Sequence, residues 1–494
     1  MKILLVYPDY PDTFWSFRHA LKFISKKASY PPLGLLTVAS MLPKEWEKRL
    51  IDMTVEPLTD KHIMWADYVF ISAMYVQRES VREIVAKCKG LGVKIVAGGP
   101  LFTTGYEDFQ DIDHLILNEA EITLPPFLED LKEGRPKHVY TSDQRADINK
   151  TPIPLWELVN MNKYASMCIQ YSRGCPFDCE FCNITSLFGH KIRTKTKDRL
   201  LVELDSLYLQ GWRGGVFIVD DNFIVNRGEL KKEVLPAIVE WMEKRIYPFS
   251  FNTQASINIS DDEELIKLMV QAGFSSVFVG IETLSEESLI ECGKFHNRNR
   301  DLVACVKKIH GFGMQVQGGF IVGFDSDLPT VFEKLTTFIQ KSRIVTAMVG
   351  LLNAPRGTRL YQRLLKEGRL LKEVSGDNTD LSINFIPIMD YETLINGYKR
   401  LFSSIYSPRY YYERVLSFLK NFKPLQKGRI QFHCCYLRAF IKSIWFLGIT
   451  GRERFYYWKL FFWVLFCRPR LFPLAITFTI YGFHFRKISE KLFI

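Results

Sequence analysis

Residues 171–183 read Tyr-Ser-Arg-Gly-Cys-Pro-Phe-Asp-Cys-Glu-Phe-Cys-Asn, which puts Cys175, Cys179 and Cys182 in one short loop. Three thiolates so spaced can hold three corners of a 4Fe–4S cube and leave the fourth iron open to a substrate or cofactor. Electron-transfer clusters usually use four cysteines. A zinc loop would need a fourth Cys or His and two-residue gaps between paired ligands; His190 is the only nearby candidate. The spacing therefore points to an open-site iron–sulfur cluster.

The chain's 494 residues are too many for one ordinary core and suggest about three domains. Residues 1–8 read as a first strand with no basic region or cleavage site. Together with ten cysteines, this predicts a reducing, cytoplasmic setting. Seven of those cysteines share no spacing and read as core or incidental thiols.

The charge is unevenly placed. From Lys423 onward there are thirteen Lys or Arg against two acids, Glu453 and Glu490, a balance of +11 that equals the net charge of the whole chain. This asymmetry assigns an anionic partner to the tail and not to the body. Within the tail, 455–467 is dense in aromatics, Arg468 and Arg470 interrupt it, and 471–485 is free of charge. Neither run reaches the roughly 20 apolar residues of a spanning helix. Apolar stretches bounded by cations, with Trp and Tyr among them, fit helices lying in a bilayer interface. The alternative is a buried helical pair. The segment is too hydrophobic for a solvated nucleic-acid stacking groove.

Residues 1–150 alternate short apolar runs at 2–7, 48–52, 68–73, 94–97 and 114–117 with helical patterns such as 78–91, which predicts a doubly wound parallel sheet. In such sheets ligands sit beyond the carboxyl ends of the strands, where Gly98-Gly99-Pro100 and Asn118-Glu119-Ala120-Glu121 fall. A strand–helix rhythm then repeats from about 165 to 375. Its strands are expected at 167–172, 215–219, 249–254, 276–281, 315–322 and 347–352. Polar residues at strand carboxyl ends are where barrels of this kind place chemistry.

The C-x3-C-x2-C loop, with aromatic Phe181 before the third cysteine, resembles the signature of the radical S-adenosylmethionine (SAM) enzymes. The resemblance implies a partial (β/α)6 barrel and SAM contacts from Phe181, from Asp220 and Asp221 after the second strand, from Gln254 and Ser256, from Glu282, and from Gly319, Ile321 and Gly323. Each carboxylate could instead be a helix cap or a loop salt bridge. The domain ahead of the loop resembles the cobalamin-binding modules of the same family. It implies contacts from Tyr75, Val76, Gln77, Gly98, Gly99, Asn118 and Glu119. Residues 1–150 contain no D-x-H-x-x-G, so cobalamin is expected without a protein histidine on cobalt; a Rossmann scaffold lacking a cofactor is the bland alternative.

The likeness extends along the chain. Phe14-Trp-Ser-Phe17, 22–28, 31–37 and 43–46 resemble the N-terminal signature of a cobalamin-binding radical SAM subfamily that includes the hopanoid C-2 methylases. Residues 384–387, 406–412 and 481–486 are similar to stretches of its C-terminal domain of unassigned function. The implied organisation is a cobalamin-binding domain at 1–150, a radical SAM core at 151–375 and a helical domain at 376–494. The implied activity uses a 4Fe–4S cluster, SAM and cobalamin to methylate an unactivated carbon, with a flavodoxin or ferredoxin as electron donor and no nucleic acid. A tail able to rest on the inner face of a membrane favours an isoprenoid or other lipid-like substrate. Rival readings are oxidation or ring formation, methylation of a soluble natural product or peptide, and a non-enzymatic sensor.

Overall fold

The computed structural model describes residues 1–371, 375–377, 379–424 and 434–493. Residues 425–433, with Lys427 and Arg429 of the basic tail, lie outside the described residues. The chain packs as two compact units. The first comprises Met1–Pro11, Lys27–Pro176 and Asn183–Trp212; the second comprises Asp12–Lys26, Phe177–Cys182 and Arg213–Ile494. The 12–26 segment and the C-terminal helices fall in the same unit as strands of the barrel.

In the first unit, β1 (Lys2–Tyr7), β2 (Glu47–Asp52), β3 (Tyr68–Ser72), β4 (Lys94–Gly98), β5 (His114–Ile116) and β6 (Val139–Tyr140) form a parallel sheet in the order β2-β1-β3-β4-β5-β6. The order reverses between β1 and β3, as doubly wound sheets do at their ligand-binding edge. Ile3, Leu5 and Val6 have no exposure, because both faces of a parallel sheet are covered; hence the run is continuously apolar and does not alternate. The same unit holds β7 (Ser166–Ile169) and a short antiparallel pair, β8 (Ser172–Arg173) with β9 (Arg193–Thr194). The pair brackets the start of the cysteine loop, a feature the apolar pattern did not reveal.

In the second unit, β10 (Gly214–Ile218), β11 (Phe249–Gln254), β12 (Phe274–Glu282), β13 (Gln315–Val322) and β14 (Ala347–Leu351) are consecutive parallel neighbours with helices between them. All six strands expected for the barrel therefore form, with ends shifted by one or two residues except for β7, which stops at Ile169. On β12, Val277, Val279 and Ile281 are fully buried on one side, so Phe278, Gly280 and Glu282 face the other. The helix Tyr391–Tyr406 caps the free edge of β14: the Tyr398 hydroxyl donates to the Val349 carbonyl at 3.0 Å, and the Tyr406 hydroxyl donates to that of Ala347 at 2.7 Å.

The C-terminal helix Phe472–Lys491 is buried on several sides, through Ala475, Phe478, Ile480, His484, Phe485 and Ile488. Phe485 stacks on Phe14 at 4.4 Å, and Gly482 leaves room for the Tyr411 ring, which would lie 2.4 Å from an added Cβ. The uncharged run 471–485 is therefore core, which corrects its reading as an interface helix. A hydrophobic run and a membrane-facing run look alike when read without their packing partners.

Asp52 ends β2 in a buried position, accepting from the Thr54 amide at 2.9 Å and the Tyr164 hydroxyl at 3.0 Å. Burial raises its pKa to about 6 despite those bonds. A raised carboxyl pKa gives stability that is present below the ordinary value and lost as pH rises through about 6. Asp52→Asn is expected to gain on the native protein by about 2–3 kcal/mol between pH 4 and 7, measured by urea unfolding of each across that range.

Candidate functional site

Within the first unit, a buried ion cluster fixes the entry to the cysteine loop. Arg173 donates to Glu119 at 3.1 Å and to Glu121 at 3.0 Å, and Arg193 donates to Glu119 at 2.7 Å. Glu119 is almost wholly buried and also accepts from the Ala146 amide at 3.0 Å. Gly174 follows with φ +97°, where an added Cβ would meet the Lys191 carbonyl oxygen at 2.7 Å, so only glycine fits. The Cys175 amide donates to the Gly189 carbonyl at 3.3 Å.

Within the second unit, 177–182 is held from other elements. Glu180 donates its amide to the Cys292 carbonyl and accepts on its carboxylate from Arg363 at 2.7 and 3.2 Å. Arg363 also reaches Asp325 at 2.8 Å, and Arg369 reaches Asp325 at 2.6 Å. Arg359 donates to the Asp178 carbonyl at 2.5 Å. Phe177 stacks on His296 at 3.8 Å, and Phe181 meets Phe324 edge-on at 6.2 Å. Burial, with Lys294 and Arg300 adding to it, lowers the His296 pKa to about 3, so this ring is neutral at physiological pH.

Glu282 ends β12 in a left-handed conformation, φ 63°, and forms a buried ion pair with Lys294. Burial opposes the charge on Lys294, but Glu282 and the Cys179 sulfur outweigh it and raise its pKa. Lys294 thus feels the charge of Cys179, one of the three cysteines expected to hold a cluster, and a thiolate is stabilised by a cation in its field. Lys294 was invisible to sequence reasoning, because nothing in its local sequence marks it as the buried partner of Glu282.

Of the remaining expected SAM residues, Asp220 and Asp221 follow β10, Gln254 ends β11 with Ser256 just after it, and Gly319, Ile321 and Gly323 lie in and after β13. Asp220 is fully buried and Asp221 half-buried. Ser256 is engaged by its neighbours: its amide donates to Asn222 Oδ1 at 3.2 Å, and its hydroxyl donates to Asn258 Oδ1 at 2.7 Å. Gln254, half-buried, has no side-chain hydrogen bond among the described residues. Gly319 gives its space to the ring of Phe278, which lies 2.6 Å from an added Cβ, and Ile321 is half-buried two residues on. Gly323, φ +104°, donates its amide to Asp327. Against Phe278 packs Trp15, edge-on at 5.4 Å, a residue that the sequence offered only as part of a signature.

The residues expected to meet cobalamin follow β3, β4 and β5, adjacent in the first sheet. Met74, Tyr75 and Val76 are at least partly exposed, whereas Gln77 is buried and donates to the Pro8 carbonyl at 2.6 Å. Gln77 therefore serves the fold of the loop. Gly98 and Gly99 leave a bare backbone crest; Gly99 has φ +95°, and an added Cβ would meet Ser72 Oγ at 2.7 Å. Asn118, φ 62°, donates from its side chain to Thr141 and Ser142. The carboxylate of Glu119 is taken by Arg173 and Arg193. The crest of small, side-chain-poor residues suits a large planar ligand, and the three half-buried thiols suit a cluster.

Comparison with known proteins agrees. Residues 24–128 match the model of a B12 binding domain, residues 169–338 that of the radical SAM superfamily, and residues 358–493 a domain of unknown function (DUF4070). An uncharacterised methyltransferase of Synechocystis sp. is 40% identical over 99% of this chain and 92% of its own length, and a hopanoid C-2 methylase of Rhodopseudomonas palustris is 33% identical over 93% and 88%. The chain belongs to the cobalamin-binding radical SAM family. It is a cobalamin-dependent radical SAM methyltransferase, with a 4Fe–4S cluster, SAM and cobalamin as its cofactors. The fold is also that of the cobalamin-dependent radical SAM enzyme OxsB, with a TM-score of 0.62 at 16% identity over 100% of this chain and 80% of the other. The methyltransferase TsrM from Kitasatospora setae gives 0.59 at 13% identity over 99% of each chain.

Breaking a buried pair leaves a charge unpaired and costs about 3–5 kcal/mol. Lys294→Met is expected to destabilise the cluster-free protein by about that amount, and adding Glu282→Gln is expected to recover much of it. A double-mutant cycle by denaturant unfolding measures both.

Proposed function

We propose that this enzyme methylates an unactivated carbon of an isoprenoid, hopanoid-like lipid. The reading is carried by the aromatic pair on β12, where Trp15 packs on Phe278 and the Phe278 ring fills the space that Gly319 leaves. An apolar wall beside the strand ends suits a substrate without polar handles. The identity to a hopanoid C-2 methylase points the same way.

When bound, the cluster with SAM supplies a hydrogen-abstracting radical and cobalamin supplies the methyl group, a division that lets an electrophilic methyl donor serve an unactivated carbon. In this reading Cys175, Cys179 and Cys182 hold the cluster. Lys294 keeps a positive charge at Cys179. Gln254, Asp221, Ile321 and Gly323 lie where SAM would be held. The loops with Tyr75, Val76, Gly98, Gly99 and Asn118 cradle cobalamin without a histidine. Trp15 and Phe278 exclude water and orient the hydrocarbon. The electron donor is a flavodoxin or ferredoxin, and the protein works at the cytoplasmic face of a membrane, drawing its substrate from the lipid phase.

The test is incubation of the reconstituted enzyme with methyl-deuterated SAM, a reductant and an unmethylated hopanoid. Transfer of a trideuteromethyl group, read by mass spectrometry, is expected. Trp15→Ala is expected to lower kcat/KM for the lipid by about 10- to 100-fold while 5′-deoxyadenosine release continues without product. Methylation of a soluble compound with no transfer to the hopanoid would overturn the reading.

A further inference from the structure

We propose that the helical hairpin formed by residues 434–467 docks on a bilayer with anionic headgroups, while the helix 472–491 behind it serves only as core. The inference rests on the lipid reading for its purpose and on the surface itself for its evidence.

The hairpin consists of the helix Cys434–Ser443, its wider-wound continuation Ile444–Ile449, a turn at Thr450–Gly451, and the helix Arg454–Cys467. The arms are fastened internally. The Trp458 indole donates to the Gly448 carbonyl at 2.9 Å, and the Ser443 and Tyr457 hydroxyls share a hydrogen bond at 3.0 Å. Tyr457, Leu460 and Val464, spaced three and four apart, turn inward.

The outer faces carry what a soluble surface seldom shows. On the first arm Leu437, Ile441 and Trp445, each four residues from the next, are all more than half exposed. On the second, Phe455, Phe462 and Phe466 form one stripe, exposed by 71%, 49% and 79%. Scattered apolar residues on a surface need no explanation, but two aligned stripes on adjoining helices mark an interaction site.

Charge selects the occupant. From 434 to 471 the only acid is Glu453, and it is buried against Arg486. The exposed charges there, among them Arg438, Arg452, Arg454 and Lys459, are therefore all cationic. Apolar stripes bordered by cations, with a Trp among them, match the interface between headgroups and acyl chains. No helix among the described residues is long and apolar enough to cross a membrane, so the hairpin lies on the surface.

The experiment is co-sedimentation of the full chain with vesicles of phosphatidylcholine alone or mixed with phosphatidylglycerol. The native protein is expected to pellet with the mixed vesicles and much less with the neutral ones. Replacing Trp445, Phe462 and Phe466 together by Ser is expected to cut binding at least tenfold. Changing Arg452, Arg454 and Lys459 to Gln is expected to abolish the preference for anionic vesicles. Both variants alter exposed residues only, and an unchanged melting curve confirms that each is folded. A native protein that stays in the supernatant overturns the proposal. So does a native dimer that the Ser variant converts to a monomer, since the face would then be covered by a second copy. Vesicle binding without hopanoid methylation would overturn the substrate reading and leave this surface standing; methylation without vesicle binding would do the reverse.

Discussion

Ion pairs on either side of Cys175 hold the cysteine loop, one almost wholly buried and one partly exposed. Arg173, two residues before Cys175, is locked by Glu119 and Glu121 in the first unit, and Glu180, between Cys179 and Cys182, is locked by Arg363 in the second. A cluster with an open iron tolerates little slack in its three thiolates, because no fourth ligand corrects their positions. Surface ion pairs would not supply that rigidity, since exposed pairs contribute about 0–1 kcal/mol. Glu119 and Arg173 are buried, so losing either partner leaves a costly unpaired charge. Glu119 thus fixes Arg173 at the start of the cysteine loop.

The same economy of placement shapes the C-terminal region. The signature around Phe14 and the signature around His484 are far apart in sequence and meet in the fold: the His484 ring bonds to the Phe14 carbonyl at 2.9 Å, and Phe485 stacks on the Phe14 ring. This contact carries Trp15 onto Phe278. The C-terminal helix thus acts as a scaffold that, through Phe14, sets the position of Trp15 against Phe278.

Much of this was legible in the sequence because it is local. The cysteine spacing, the glycines after β4 and the apolar runs of the parallel strands each follow from a few adjacent residues. Lys294, the Glu119–Arg173 pair and the Trp15–Phe278 contact were not legible, because each joins residues brought together only by the fold. The side chains of Gln77 and Glu119, expected to meet cobalamin, bond protein groups, since position along a strand does not tell which partner a side chain finds. The tail shows the limit most clearly. The runs 455–467 and 471–485 are both rich in aromatics, yet the first exposes Phe455, Phe462 and Phe466 while the second exposes none and buries Phe478 and Phe485.

The central claim is that this chain assembles two cofactors at independent sites, a cluster on three cysteines and cobalamin on the strand-end crest. The direct measurement is anaerobic reconstitution with iron, sulfide and hydroxocobalamin, followed by metal analysis and absorbance spectra of the desalted protein and of the variant with Cys175, Cys179 and Cys182 changed to Ala. About four irons and one cobalt per chain, with only the iron lost in the variant, is the predicted result. Iron without cobalt in the native protein, or iron retained in the variant, would contradict it.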